Sequence, residues 1–138
     1  MDNTKITVQI TVSATIEKAW KCWTTPNDIM QWNHASDDWH TTNVVNDLKE
    51  GGKFQYRMEA KDGSFGFDFG GTYDTVSTNE IIEYTLDDNR KVSIRFSSNG
   101  HETTIIQTFE AETENTVELQ QFGWQSIMNY YKKHTEKP

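Results

Sequence analysis

A chain of 138 residues is the length of one domain, enough to close a core without disulfides or metals, and residues 1–138 read as a single unit. Only 34% of it is apolar, low beside the usual ~45–50%, yet that share holds five Trp, five Tyr and seven Phe against three Leu. A few large rings must therefore build the core or line a cavity, while the net charge of −8, spread along the chain without a basic cluster, argues against nucleic acid and anionic membrane surfaces as partners.

Residues 5–12 alternate strictly, with Ile6, Val8, Ile10 and Val12 facing one way and Thr7, Gln9 and Thr11 the other, which predicts a half-buried strand. Ser13-Ala14-Thr15 offers helix caps, and residues 16–23 predict a short helix with Ile16, Ala19, Trp20 and Trp23 on one face. Cys22 falls off that stripe. Thr25-Pro26-Asn27-Asp28 opens a second short helix, with Thr as cap, Pro first and an acid in the first turn. Residues 33–40 are polar and read as irregular.

From about residue 41 the chain reads as strands. In residues 53–60, Phe54, Tyr56, Met58 and Ala60 alternate with Lys53, Gln55, Arg57 and Glu59. Asp62-Gly63 is a hairpin signal. Residues 65–76 follow, with Phe65, Phe67, Phe69 and Tyr73 on one face, and Gly70-Gly71 predicts a bulge or sharp bend there. Strands are expected at 80–86, at 91–97 with Val92, Ile94 and Phe96 inward, and at 102–110 after the Asn99-Gly100 turn. Consecutive hairpins make the sheet antiparallel.

Asn115-Thr116-Val117-Glu118 resembles a capping box with Asn as cap, and a helix is expected over about 116–133. Its apolar stripe reads as Val117, Gln121, Trp124, Met128 and Tyr131. The fold class is α+β: a curved antiparallel sheet of about six or seven strands, two short helices after the first strand, and a long C-terminal helix across the concave face. The space between helix and sheet is a natural cavity. One cysteine rules out an internal disulfide. No basic-then-apolar leader and no apolar run of ~20 residues is present, so the chain reads as cytoplasmic with no membrane span.

Several of these segments resemble one family. They are Ser13-Ala14-Thr15-Ile16-Glu17-Lys18-Ala19-Trp20, Trp23-Thr24-Thr25-Pro26, the run from Ile29 to Trp32, Gly51-Gly52-Lys53-Phe54, Asp62-Gly63, Gly71-Thr72-Tyr73, Thr108-Phe109-Glu110 and Gln121-Phe122-Gly123-Trp124 on to Met128. Together they make the chain similar to START-like (SRPBCC, Bet v 1-like) helix-grip proteins, in the branch resembling the C-terminal domain of the activator of Hsp90 ATPase. The resemblance covers almost the whole chain. It implies a helix-grip fold and, for a stand-alone domain, a small hydrophobic or aromatic ligand. It also implies two alternatives, a chaperone-associated protein-binding module and a cyclase- or dehydratase-like enzyme using the same cavity. Fold alone does not choose among them.

The residues expected around such a cavity are Phe54, Tyr56, Met58, Phe67, Phe69, Tyr73, Ile94 and Phe96 from the strands. Trp124, Met128 and Tyr131 join them from the last helix, with Trp32 and Trp39 near the mouth. The segment Asn33-His34-Ala35-Ser36-Asp37-Asp38-Trp39-His40 concentrates titratable groups, so His34 and Asp38 are the acid/base candidates. Its spacing fits no metal motif, and no cofactor is implied. Cys22 has no adjacent base that would make it a nucleophile.

Overall fold

The structure, a computed structural model, describes residues 4–138. Its elements run β1 (Lys5–Val12), α1 (Ile16–Thr24), α2 (Pro26–Trp32), β2 (Trp39–Asn46), β3 (Lys53–Ala60), β4 (Gly66–Ser77), β5 (Ile81–Leu86), β6 (Lys91–Ser98), β7 (Thr103–Glu110) and α3 (Val117–Thr135). The strands form one seven-stranded sheet in the order β1-β7-β6-β5-β4-β3-β2, antiparallel at each pairing. The sheet curls into a half-barrel around α3, which packs on β1, α1 and α2. No helix among the described residues is long and apolar enough to cross a membrane.

The period-2 pattern decides the sheet. Ile6, Val8 and Val12 are buried on one face of β1. On the other face, Thr7 and Thr11 hydrogen-bond through their hydroxyls to Thr108 and Thr104 at 3.0 and 2.9 Å, cross-strand pairs that fix register. Strand β2 begins at Trp39 rather than near residue 41, because Trp39 and His40 pair with Ala60 and Glu59.

The bulge in β4 lies at Asp74, between Tyr73 and Thr75, and not at the Gly70-Gly71 pair. Those glycines serve close approach instead. A Cβ on Gly70 would stand 2.7 Å from the Phe54 carbonyl oxygen, and one on Gly71 2.4 Å from that of Thr85. The backbones of β3, β4 and β5 crowd here as the sheet bends, and only a residue without a side chain fits.

Two predicted faces are corrected. Cys22 is buried in the core, 4% exposed, because α2 and the end of α3 cover the side of α1 on which it lies. Phe65 is 66% exposed, since it precedes β4 in the hairpin turn and the curl carries that end of the sheet away from the helices.

Helix α3 is capped by Thr116, whose hydroxyl accepts from the Leu119 amide at 3.1 Å, and not by Asn115. Asn115 donates from its backbone and side chain to the Glu112 carboxylate instead. The buried stripe runs Gln120, Met128, Tyr131 and Thr135, with Trp124 and Ile127 packed against the core. Val117 and Gln121 are exposed. Gln121 lies over the edge of β1, where Gln121, Gln125 and Lys132 donate to the carbonyls of Thr7, Gln9 and Thr11 at 3.4, 3.1 and 2.8 Å. These donors occupy alternate carbonyls of an edge strand that would otherwise offer them to another chain.

Candidate functional site

A cavity of about 350 Å³ lies between α3 and the concave face of β3–β7. It exists because α3 leans toward β1 and the two short helices, leaving the middle strands uncovered. The sheet contributes Tyr56 and Met58 from β3, Phe67, Phe69 and Tyr73 from β4, Ile82 and Tyr84 from β5, Ile94 from β6 and Gln107 from β7. Leu119, Gly123, Trp124 and Ile127 close it from α3, and Trp23 and Trp32 from the short helices. Phe67 and Leu119 line the cavity and are nevertheless 41% and 57% exposed, which places them at its rim.

Of the residues expected here, Trp32, Tyr56, Met58 and Phe67 reach the cavity, as do Phe69, Tyr73, Ile94 and Trp124. Phe54, Phe96, Met128 and Tyr131 are packed in the core behind that wall. Trp39 is half-buried against Phe65 and Phe67, at ring distances of 6.2 and 5.9 Å. His34 and Asp38 do not border the cavity. The His34 ring packs against that of Tyr130 at 4.2 Å with the planes tilted by 52°, and Asp38 accepts from the Ser36 hydroxyl in an exposed loop. Tyr84 and Ile82 line the cavity unannounced. The alternation used for β3 places them inward on β5 as well, and that signal was available in the sequence.

The walls are aromatic and their polar groups are largely engaged. Tyr73 donates to Asn46 Oδ1 at 2.5 Å, and Asn46 Nδ2 donates to the Thr24 carbonyl at 2.7 Å. Gln120 is used on the loop before α3, accepting from the Glu112 amide and donating to the Asn115 carbonyl, both at 2.9 Å. Arg90, also in the wall, donates from Nε to Asp88 at 2.8 Å.

Burial pushes the hydroxyl pKa of Tyr56, Tyr73 and Tyr84 well above the ordinary phenol value. These groups stay neutral at any physiological pH and act as hydrogen-bond donors or acceptors. Glu112 is held below its ordinary value, chiefly by the hydrogen bond from the Asn115 amide, and so remains charged.

A curled antiparallel half-barrel gripping a long C-terminal helix over an aromatic cavity defines the helix-grip class. Residues 13–135 match the profile of the Activator of Hsp90 ATPase homolog 1-like proteins, and the chain belongs to that family. An AHSA1-like protein from Aeromonas hydrophila, solved in solution, is 42% identical with a TM-score of 0.90, over 96% of this chain and 92% of that one. A protein of known solution structure from Cytophaga hutchinsonii is 55% identical with a TM-score of 0.83, over the same shares. A crystal structure from Chromobacterium violaceum, at 19% identity and a TM-score of 0.86 over 98% of this chain and 99% of that one, shares the fold. No curated protein matches the chain.

Proposed function

We propose that this protein is a binding module that holds a largely apolar, ring-containing small molecule in the cavity between α3 and the sheet. The observation that carries the reading is the lining itself: a volume of about 350 Å³ walled by Tyr56, Phe67, Phe69, Tyr73, Tyr84 and Trp124. Small-molecule sites begin near ~300 Å³ and are mostly aromatic and aliphatic with a few polar groups. Aromatic faces favour stacked or edge-on rings, and the neutral tyrosine hydroxyls supply orientation without charge.

An acid/base enzyme fits the same walls less well. Efficient proton transfer needs a group whose pKa lies near the working pH. The lining tyrosines are pushed far above that range and Glu112 is held below its own.

The test is a fluorescence titration of the full chain with 8-anilinonaphthalene-1-sulfonate as a ring-containing probe. Saturable one-to-one binding with quenching of tryptophan emission is the expected result. Gly123→Leu projects a side chain from a position that lines the cavity and has nothing within 4 Å of an added Cβ, and it must weaken binding at least about tenfold. Probe binding that leaves tryptophan emission unchanged, or that ignores Gly123→Leu, rejects the reading.

A second reading is docking on an Hsp90-type chaperone. Its support is the family's description together with Leu119 and Phe122 on α3, which are 57% and 71% exposed. Large apolar groups left in water commonly mark an interaction surface. Stimulation of chaperone ATPase activity that is lost in Phe122→Ser is its expected signature, and absence of stimulation by the unaltered protein rejects it.

A further inference from the structure

The three helices meet at a second cluster of chemically active side chains, away from the cavity. Cys22 comes from α1, Asp28 from the first turn of α2 and His134 from the last turn of α3. The thiol sulfur, one carboxylate oxygen and one imidazole nitrogen all lie within 4.8 Å of one another. Cys22 is 4% exposed, and the side chains of His134 and Asp28 are 19% and 17% exposed. His134 Nε2 stands 2.8 Å from Asp28 Oδ1. The fully buried Thr135 hydroxyl lies beside the Cys22 thiol and the Tyr131 hydroxyl.

We propose that Cys22, Asp28 and His134 form a three-ligand site for a divalent transition-metal ion of the zinc class, with the fourth position left to water.

The donor set supports this. One thiolate, one imidazole and one carboxylate are the ligand types that Zn²⁺ takes in tetrahedral sites. Donor atoms about 2.0–2.3 Å from the metal stand roughly 3.5 Å from one another. The candidate donor atoms lie inside 4.8 Å of one another, so each pair is within about an ångström of that spacing. Binding displaces the thiol proton to solvent, and thiolate and carboxylate then balance the two positive charges with histidine neutral. Buried charges that cancel avoid most of the cost of taking ions out of water.

Asp28 already holds one positive charge, that of Lys21. Its ammonium lies 3.1 Å from Asp28 Oδ2 while the side chain is 67% exposed. An incoming divalent ion replaces it, and the lysine turns out into solvent at little cost. Trp32 Nε1 donates to the Cys22 carbonyl at 2.9 Å, so metal at this point also braces one wall of the cavity.

The experiment is a Co²⁺ titration of chelator-treated full-length protein, followed by absorption. The expected result is a one-to-one complex with a thiolate-to-cobalt charge-transfer band in the near ultraviolet, bleached by Zn²⁺. Cys22→Ser must abolish the band, and Asp28→Asn and His134→Gln must each weaken binding at least about tenfold. Absence of the band at millimolar Co²⁺, or its persistence with unchanged affinity in His134→Gln, overturns the proposal. Should a variant fail to fold, the unaltered protein still decides. Zn²⁺ must shift the imidazole resonances of His134, and shifts confined to His34, His40 or His101 overturn the assignment.

Discussion

Trp124 lies flat on Phe109, with ring centroids 3.8 Å apart and planes inclined by 10°. Phe109 is 1% exposed on β7, between Ile6 of β1 and Val92 of β6 in the ladder. The other side of Trp124 meets Phe69 of β4 at 6.2 Å, edge-on. One indole therefore joins the packed half of the half-barrel to its open half, and forms the partition between core and cavity.

Removing that partition costs stability. Trp124→Ala is expected to destabilise the protein by about 3 kcal/mol, the scale of a large aromatic deleted from a packed site. Urea unfolding at constant slope measures it. A loss below about 1 kcal/mol means that the stack contributes little and Phe109 is held by its strand neighbours alone.

Glycine provides two opposite tests. Gly123 is helical, with nothing within 4 Å of an added Cβ, so Gly123→Ala is expected to raise stability by about 1 kcal/mol through helix propensity. In contrast, Gly71→Ala sets a methyl 2.4 Å from the Thr85 carbonyl oxygen. Backbone cannot rotate away as a flexible side chain can, and that variant is expected to lose several kcal/mol or fail to fold. Equal thermal midpoints for the two variants contradict both arguments.

Most of the sheet is legible in the sequence because period-2 alternation is a local signal. Strand β3 falls at 53–60 as its alternation predicts, and Asn99-Gly100 separates β6 from β7. What is not legible depends on where elements settle against one another. The stripe of α3 shifts from Val117 and Gln121 to Gln120 because the helix leans onto the β1 edge, where Gln121 and Gln125 reach its carbonyls. The same lean opens the cavity, so strand alternation points to Tyr56 and Tyr84 while leaving Phe54 and Phe96 indistinguishable from them. The meeting of Asp28 with His134 spans 106 positions, beyond any local pattern.

Tyr131 is fully buried, and its hydroxyl donates to the Ala19 carbonyl at 2.7 Å. Its ring packs edge-on against Trp23 and Trp32 at 4.8 and 5.1 Å. Tyr131→Phe keeps those contacts and removes a buried donor that ties α3 to α1. A loss of about 1 kcal/mol is expected, read from chemical denaturation. An unchanged midpoint means that the Ala19 carbonyl is satisfied within its own helix.

The imidazole of His34 gives the protein a pH dependence of definite sign. Its pKa is held below the ordinary value near 6.5, first by burial and then by Lys61 and His40, with Asp37 opposing. Its Nδ1 is buried without a hydrogen-bond partner among the described residues, and the ring packs at a tilt against Tyr130. The unfolded chain thus binds this proton at a higher pH than the folded one. By linkage, the contribution of His34 to stability is complete above about 6.5 and declines as the pH falls from there through the folded-state pKa. His34→Gln removes that slope, so the stability difference between variant and parent must shift in favour of the variant between pH 7.5 and 5.5. Carboxylates that lose their own partners at lower pH are common to both proteins and cancel in the difference. An NMR titration of the His34 ring supplies the direct check, and a midpoint at or above 6.5 is incompatible with a half-buried imidazole whose Nδ1 has no partner.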